Sequence, residues 1–169
     1  MAKRPLILVT NDDGITAPGI RALIEVMNGI GDVVVVAPDS PQSGMGHAIT
    51  INSTLDCTEI NVDGGQQKEY QSSGTPADCV KLAINELMDR KPDLCVSGIN
   101  HGSNSSINVI YSGTMSAAIE AGIEGVPAIG FSLCDYRWTA DFEPLKPYID
   151  KIVRNALKEK IPSDVVLNV

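Results

Sequence analysis

The chain has few of the residues that several functions require. Of its 169 residues, two are histidine, four are cysteine and 4% are aromatic. With so little imidazole, and with Cys57, Cys79, Cys95 and Cys134 widely spaced and forming no CxxC pair, a zinc-type ligand set is disfavoured. Scattered cysteines of this kind are expected to be free, mostly buried thiols of a protein in the reducing cytoplasm. Positive charge is also in deficit. Thirteen Lys and Arg face 21 Asp and Glu, giving a net charge of −8. Duplex nucleic acid and a polybasic membrane patch are both disfavoured by that balance. Long apolar runs are missing: Leu6–Val9 is cut short by Asn11-Asp12-Asp13, below a secretory core of roughly 7–15 residues. Nothing approaches the ~20 apolar residues of a membrane span.

What is present is an alternation of buried strands and amphipathic helices. A length of 169 residues fits one compact α/β domain. Leu6–Thr10, Val33–Val36, 93–99 and Ala128–Leu133 are apolar enough to be strands covered on both faces. Helical patterns open at Pro18, Pro76, Gly113 and Pro147, and Val165–Val169 begins a last strand. Between them, Ala48–Ile60 and Gln67–Ser72 alternate around Asp63-Gly64-Gly65, as a β-hairpin does. The expected architecture is an α/β, Rossmann-like parallel-sheet sandwich with an inserted β-hairpin.

In such sheets ligands bind beyond the carboxyl ends of the strands. Those positions carry Asn11-Asp12-Asp13-Gly14, Asp39-Ser40-Pro41-Gln42-Ser43-Gly44 and Asn100-His101-Gly102. Each stretch alone reads as a turn or a helix cap. Adjacent carboxylates such as Asp12 and Asp13 repel each other, however, and a cation between them removes the cost. Three unconnected stretches bring hard oxygen donors to one sheet edge, and Asp12, Asp13, Ser43 and Asn100 then suit one Mg²⁺ or Mn²⁺. Ser112-Gly113-Thr114 opens a helix with free backbone N–H groups and hydroxyls, which favours an anion such as phosphate. A dication beside a phosphate cradle suggests phosphoryl chemistry. The Gly102–Ser106 loop reads equally as a linker or as a wall close to substrate. His47 and His101 are left open between proton transfer and a packing role.

These residues fall into blocks that resemble the SurE survival-protein family of metal-dependent nucleotidases. The blocks are Val9–Gly14 with Ala17-Pro18-Gly19, Val36–Asp39 with Gln42-Ser43-Gly44, Gly74–Val80, Val96–Asn104 and Tyr111–Thr114. The resemblance runs from the first strand to the last residue. It implies a phosphatase acting on nucleoside 5′- and 3′-monophosphates, and on short polyphosphate. It implies metal on Asp12, Asp13, Ser43 and Asn100, with Asn11 and Ser112-Gly113-Thr114 around the phosphate. It also implies a homodimer or homotetramer. Family chains continue past the block that begins Leu167-Asn168-Val169, so a single domain over 1–169 lacking the family's C-terminal extension is expected. Gly74-Thr75-Pro76 receives no chemical role from sequence.

Asp12 is the first candidate to orient or deprotonate the attacking water, with Asn11 as its catalytic neighbour. Nothing in the sequence favours an aspartyl-phosphate intermediate. Two readings of other classes stay open. A phosphoacceptor receiver domain also carries paired acids after its first strand, but it needs an acceptor Asp where Ile99-Asn100 stands and a later Lys. A non-catalytic nucleotide sensor could use the same fold. A haloacid-dehalogenase type is disfavoured because Asn11 stands where its nucleophilic Asp belongs.

Overall fold

The computed structural model describes residues 3–137 and 139–169. Met1 and Ala2, which begin the basic N-terminus, lie outside them. The elements are β1 (Leu6–Thr10), α1 (Pro18–Asn28), β2 (Asp32–Pro38), β3 (Cys57–Ile60), β4 (Lys68–Ser72), α2 (Pro76–Leu82), β5 (Leu94–His101), α3 (Asn108–Tyr111), α4 (Gly113–Ile123), β6 (Ala128–Leu133), α5 (Lys146–Glu159) and β7 (Leu167–Asn168). They form one seven-stranded sheet in the order β3-β4-β2-β1-β5-β6-β7. Every pairing is parallel except β3 with β4.

The central strands are apolar throughout because helices cover both faces. Ile7 and Val9 of β1 pack into a core with Ile20, Leu23, Ile24 and Met27 of α1 and Ile149 and Val153 of α5. Leu8, between them, faces the other way, into a core with Cys79 and Val80 of α2 and Ala117, Ala118 and Ala121 of α4. Period-two alternation thus sends successive side chains into opposite layers, and both layers are dry. In α1 the spacing 20, 23, 24, 27 makes one apolar stripe, with Pro18 in its first turn and Gly29 at its end.

Several elements differ from the sequence reading. Only Cys57–Ile60 of the expected 48–60 strand is extended. The hairpin is not a separate excursion, because β4 pairs in parallel with β2 and widens the main sheet. Arg21 of α1 holds it there through Asp63 and the buried Glu69. The helix from Pro76 stays regular only to Leu82, and Ala83–Leu87 continues as a π-helical turn. β2 runs from Asp32 to Pro38, beyond the expected 33–36 at both ends. Asn100 and His101 are part of β5, paired with Ser132 and Leu133, although the polarity of 100–106 reads as loop. The short α3 has no buried residue and so left no apolar stripe to read. All four cysteines are free: Cys79 and Cys95 are buried, Cys57 is half-buried and Cys134 is exposed. Burial pushes the Cys95 thiol up to about 12. Among the described residues no helix is long and apolar enough to cross a membrane.

Candidate functional site

The candidate residues gather at the carboxyl ends of β1, β2 and β5. Asp12 stands two residues past the end of β1 and is 4% exposed. Its carboxylate sits at the N-terminus of α4. Thr114 Oγ1 donates to Asp12 Oδ1 at 2.5 Å, and the backbone N–H groups of Gly113 and Thr114 add further hydrogen bonds. The approach depends on Gly113 having no side chain, since a Cβ there would lie 2.5 Å from Asp12 Cβ. Burial pushes the Asp12 carboxyl above its ordinary pKa, and these hydrogen bonds offset only part of the rise. The turn expected to receive phosphate therefore already holds an anion, the Asp12 carboxylate, at the positive end of the helix.

Asp13 is half-buried beside it. Burial raises its pKa first and the neighbouring Asp12 charge raises it further, while the imidazole and backbone N–H of His101 offset part of the effect. That contact joins the ends of β1 and β5. Gly98 makes it possible: its φ of +128° and a gap too small for any Cβ, 2.4 Å from Phe131 O, suit only glycine. The register between β5 and β6 shifts between Ser97 and Asn100, which carries Asn100 and His101 to the rim. The Asn100 amide nitrogen donates to Gly102 O and to Asn104 Oδ1, both at 3.1 Å. Its oxygen takes no part in either bond.

Asn11 is 1% exposed. Its amide nitrogen donates to Gly14 O at 2.9 Å, while its Oδ1 is buried without a partner. The amide nitrogen keeps a second hydrogen, so the side chain has one donor and one acceptor beyond the Gly14 bond. Ser43 is exposed on the irregular segment after β2 and makes no hydrogen bond among the described residues. Its neighbour Gln42 donates its N–H to Asp12 O at 2.7 Å, which brings the segment to the site. Ser112 caps α4 by accepting from Met115 N at 3.0 Å and keeps its hydroxyl hydrogen for a ligand.

Three polar residues beneath the rim were not singled out from sequence. The hydroxyls of Thr10 and Ser97, paired across β1 and β5, are buried without partners. Asn104 is buried, orients Asn100, and has its own amide nitrogen unpartnered. A hydroxyl inside an apolar strand was the available signal for Thr10 and Ser97. Asn104 lay in a loop whose two readings balanced.

The donor set fits a small hard cation. Two adjacent carboxylates are held in a setting that raises both pKa values, and neutral oxygens from Asn100, Asn11 and Ser43 lie nearby or on the adjoining chain. Among the described residues no cluster of three or more His, Cys, Asp and Glu offers another ligand set. Cavities of about 520, 720 and 560 Å³ lie elsewhere: one at the amino ends of the strands near Leu6 and Lys68, one beside α1 near Asp63, and one near Pro5 and Arg154. Concavity without convergent reactive groups is the weaker indicator, so the strand-end rim remains the candidate site.

Comparison with known proteins identifies the family. Residues 7–169 match the family described as survival protein SurE. A protein of Flavobacterium psychrophilum named 5′-nucleotidase SurE is 72% identical over 166 residues, 98% of this chain and 65% of that protein. One of the same name from Bacteroides thetaiotaomicron is 51% identical, over 99% of this chain and 64% of that protein. The crystal structure of the Sure protein from Aquifex aeolicus superimposes with a TM-score of 0.86 at 43% identity, covering 97% of this chain and 64% of that one. The chain thus spans a little under two thirds of the length of these relatives. On the match of its fold, and on a sequence match that runs from β1 to the last residue, the chain belongs to the survival protein SurE family.

Proposed function

We propose that this chain carries the active site of a divalent-metal-dependent phosphatase that hydrolyses nucleoside 5′- and 3′-monophosphates to nucleoside and phosphate. The observation that carries the reading is the Asp12–Asp13 pair, buried at the strand ends with both carboxyls pushed above their ordinary pKa. The name of the relatives, 5′-nucleotidase SurE, supports the substrate class.

In this proposal Asp12, Asp13, Ser43 and Asn100 hold Mg²⁺ or Mn²⁺. Bound there, the cation would polarise a phosphate oxygen and lower the pKa of water. Asp12 is fixed by Thr114 and by the α4 N-terminus, so one of its oxygens is oriented before substrate arrives. That carboxylate directs, and accepts a proton from, the attacking water. Asn11, Ser112, Gly113 and Thr114 surround the phosphate, with the Asn11 amide also tied to Gly14 O and the Ser112 hydroxyl also capping α4. A homodimer or homotetramer belongs to the same proposal, supported by Ile107, Ile110 and Tyr111, large residues that α3 and its N-cap leave exposed beside the site. Short polyphosphate as a further substrate, a single domain over 1–169, and a cytoplasmic setting complete it.

The test is phosphate release from a panel of nucleoside monophosphates with Mg²⁺, with Mn²⁺ and with chelator. Release requires metal and falls by about 10³-fold or more in Asp12→Asn, because the group that orients water is lost. No release under any metal, or metal-dependent release that survives Asp12→Asn, contradicts the proposal.

A further inference from the structure

We infer that His47, together with the Thr75–Asp78 cap of α2, forms a strap that positions the Ser43 segment for the cation; the inference rests on the metal reading above. The segment from Asp39 to Thr50 has no regular secondary structure, so its shape depends on where it is tied. At its start, Asp39 N–H donates to Ser72 O at 2.8 Å and Gln42 N–H to Asp12 O at 2.7 Å. At its far end, Thr75 Oγ1 donates to Ala48 O at 2.7 Å. Thr50 donates both its N–H and its hydroxyl to Asp78, the latter at 2.7 Å. Thr75 and Asp78 also form the capping box of α2. The Gly74-Thr75-Pro76-Ala77-Asp78 block, which had no chemical role from sequence, therefore ties a loop as well as opening a helix.

Between those ends lie Ser43, Gly44, Met45 and Gly46. Both glycines have positive φ, and a chain of this kind loses much entropy when it is fixed. Next to this stretch, the His47 side chain reaches a fixed element: its Nε2 lies 2.6 Å from Glu120 Oε2 on α4. Glu120 is buried, which would push its carboxyl up, but hydrogen bonds from Lys81 and His47 and their charges outweigh burial and hold it below its ordinary value. An ionised carboxylate only accepts, so Nε2 donates. Lys81 of α2 occupies Glu120 Oε1 at 2.8 Å and leaves Oε2 to His47. Glu120 stands on the helix whose first turn grips Asp12 through Thr114. His47 thus references Ser43 to the same rigid body that orients Asp12. It touches neither the metal ligands nor substrate and is a positioning residue.

Outer partners of metal ligands commonly change metal affinity by about 10–100-fold. Two readouts test the strap in His47→Ala, His47→Gln and Thr50→Val: amide hydrogen exchange of residues 40–49 in metal-free protein, and Mn²⁺ affinity by electron paramagnetic resonance. In His47→Ala, exchange of the segment rises and Mn²⁺ binds about tenfold more weakly, while kcat at saturating Mn²⁺ stays near wild type. His47→Gln, whose amide can still donate to Glu120, restores both, and Thr50→Val reproduces the loosening from the other end. Unchanged exchange in both His47→Ala and Thr50→Val overturns the strap. Raised exchange with unchanged Mn²⁺ affinity overturns its positioning role. A wild-type protein that binds no Mn²⁺ contradicts the metal reading instead, a failure the exchange data keep separate.

Discussion

At the scale of single residues, Asp12 and Asp13 are costly to the protein that carries them. Both carboxyls are pushed above their ordinary pKa, Asp12 by burial and Asp13 by burial and then by Asp12. A carboxyl raised in the folded state adds stability only while protonated. That contribution is complete below the ordinary carboxylate pKa and is lost as pH rises through the raised values. Metal-free protein therefore loses stability over that window, and a dication reverses the sign of the local field. The expected outcome is that Asp13→Asn raises the Tm of metal-free protein by a few degrees at pH 7 and leaves it near wild type at pH 4. Over the same window the Mn²⁺ affinity of wild type strengthens as pH rises. Differential scanning calorimetry with chelator and Mn²⁺ titrations at several pH values check the two halves. The pair was legible in the sequence because two adjacent acids follow the end of an apolar strand with one residue between. The capture of Asp12 by Thr114 was not, since 102 residues separate them and local pattern carries no such distance.

At the scale of elements, the site depends on how closely α4 meets β1 and on how β5 bends. Gly113 lies against Asp12 with no room for a methyl group. Gly113→Ala must push either the helix or the carboxylate aside, and catalysis is sensitive to displacements near 1 Å. The expected result is a loss of roughly 10²-fold in kcat/KM for a nucleoside monophosphate with the fold retained. Activity assays beside circular dichroism check it. The start of α4 was legible from its Ser112 cap, and its packing partner was not. Residues 48–60 and 67–72 read as a hairpin because they flank Asp63-Gly64-Gly65, but alternation within a strand does not name the strand beside it. The join of β4 to β2 therefore appeared only in the fold. Asn100 was read as loop because polarity signals exposure, whereas the bend at Gly98 lets a strand continue while its side chains reach the rim.

At the scale of the whole molecule, acidity and architecture combine. A chain of net charge −8 repels a phosphate ester over most of its surface. The parallel sheet brings three strand ends to one edge, where Asp12 and Asp13 can gather the positive charge the rest of the chain lacks. The central strands were legible because apolar runs covered on both faces leave few alternatives. Ser43 was legible as a residue type at a strand end, but its exposure on an irregular segment was not, because the ties that shape it lie on α2 and α4. The claim that joins these scales is that one cation sits at this edge. The direct measurement is anomalous diffraction from crystals of the protein equilibrated with Mn²⁺. The account predicts a single strong peak at the carboxyl ends of β1 and β5, with oxygens of Asp12 and Asp13 about 2.0–2.3 Å away and Asn100 and Ser43 turned toward it. A peak held by other residues, or no peak at this edge at saturating Mn²⁺, would contradict it.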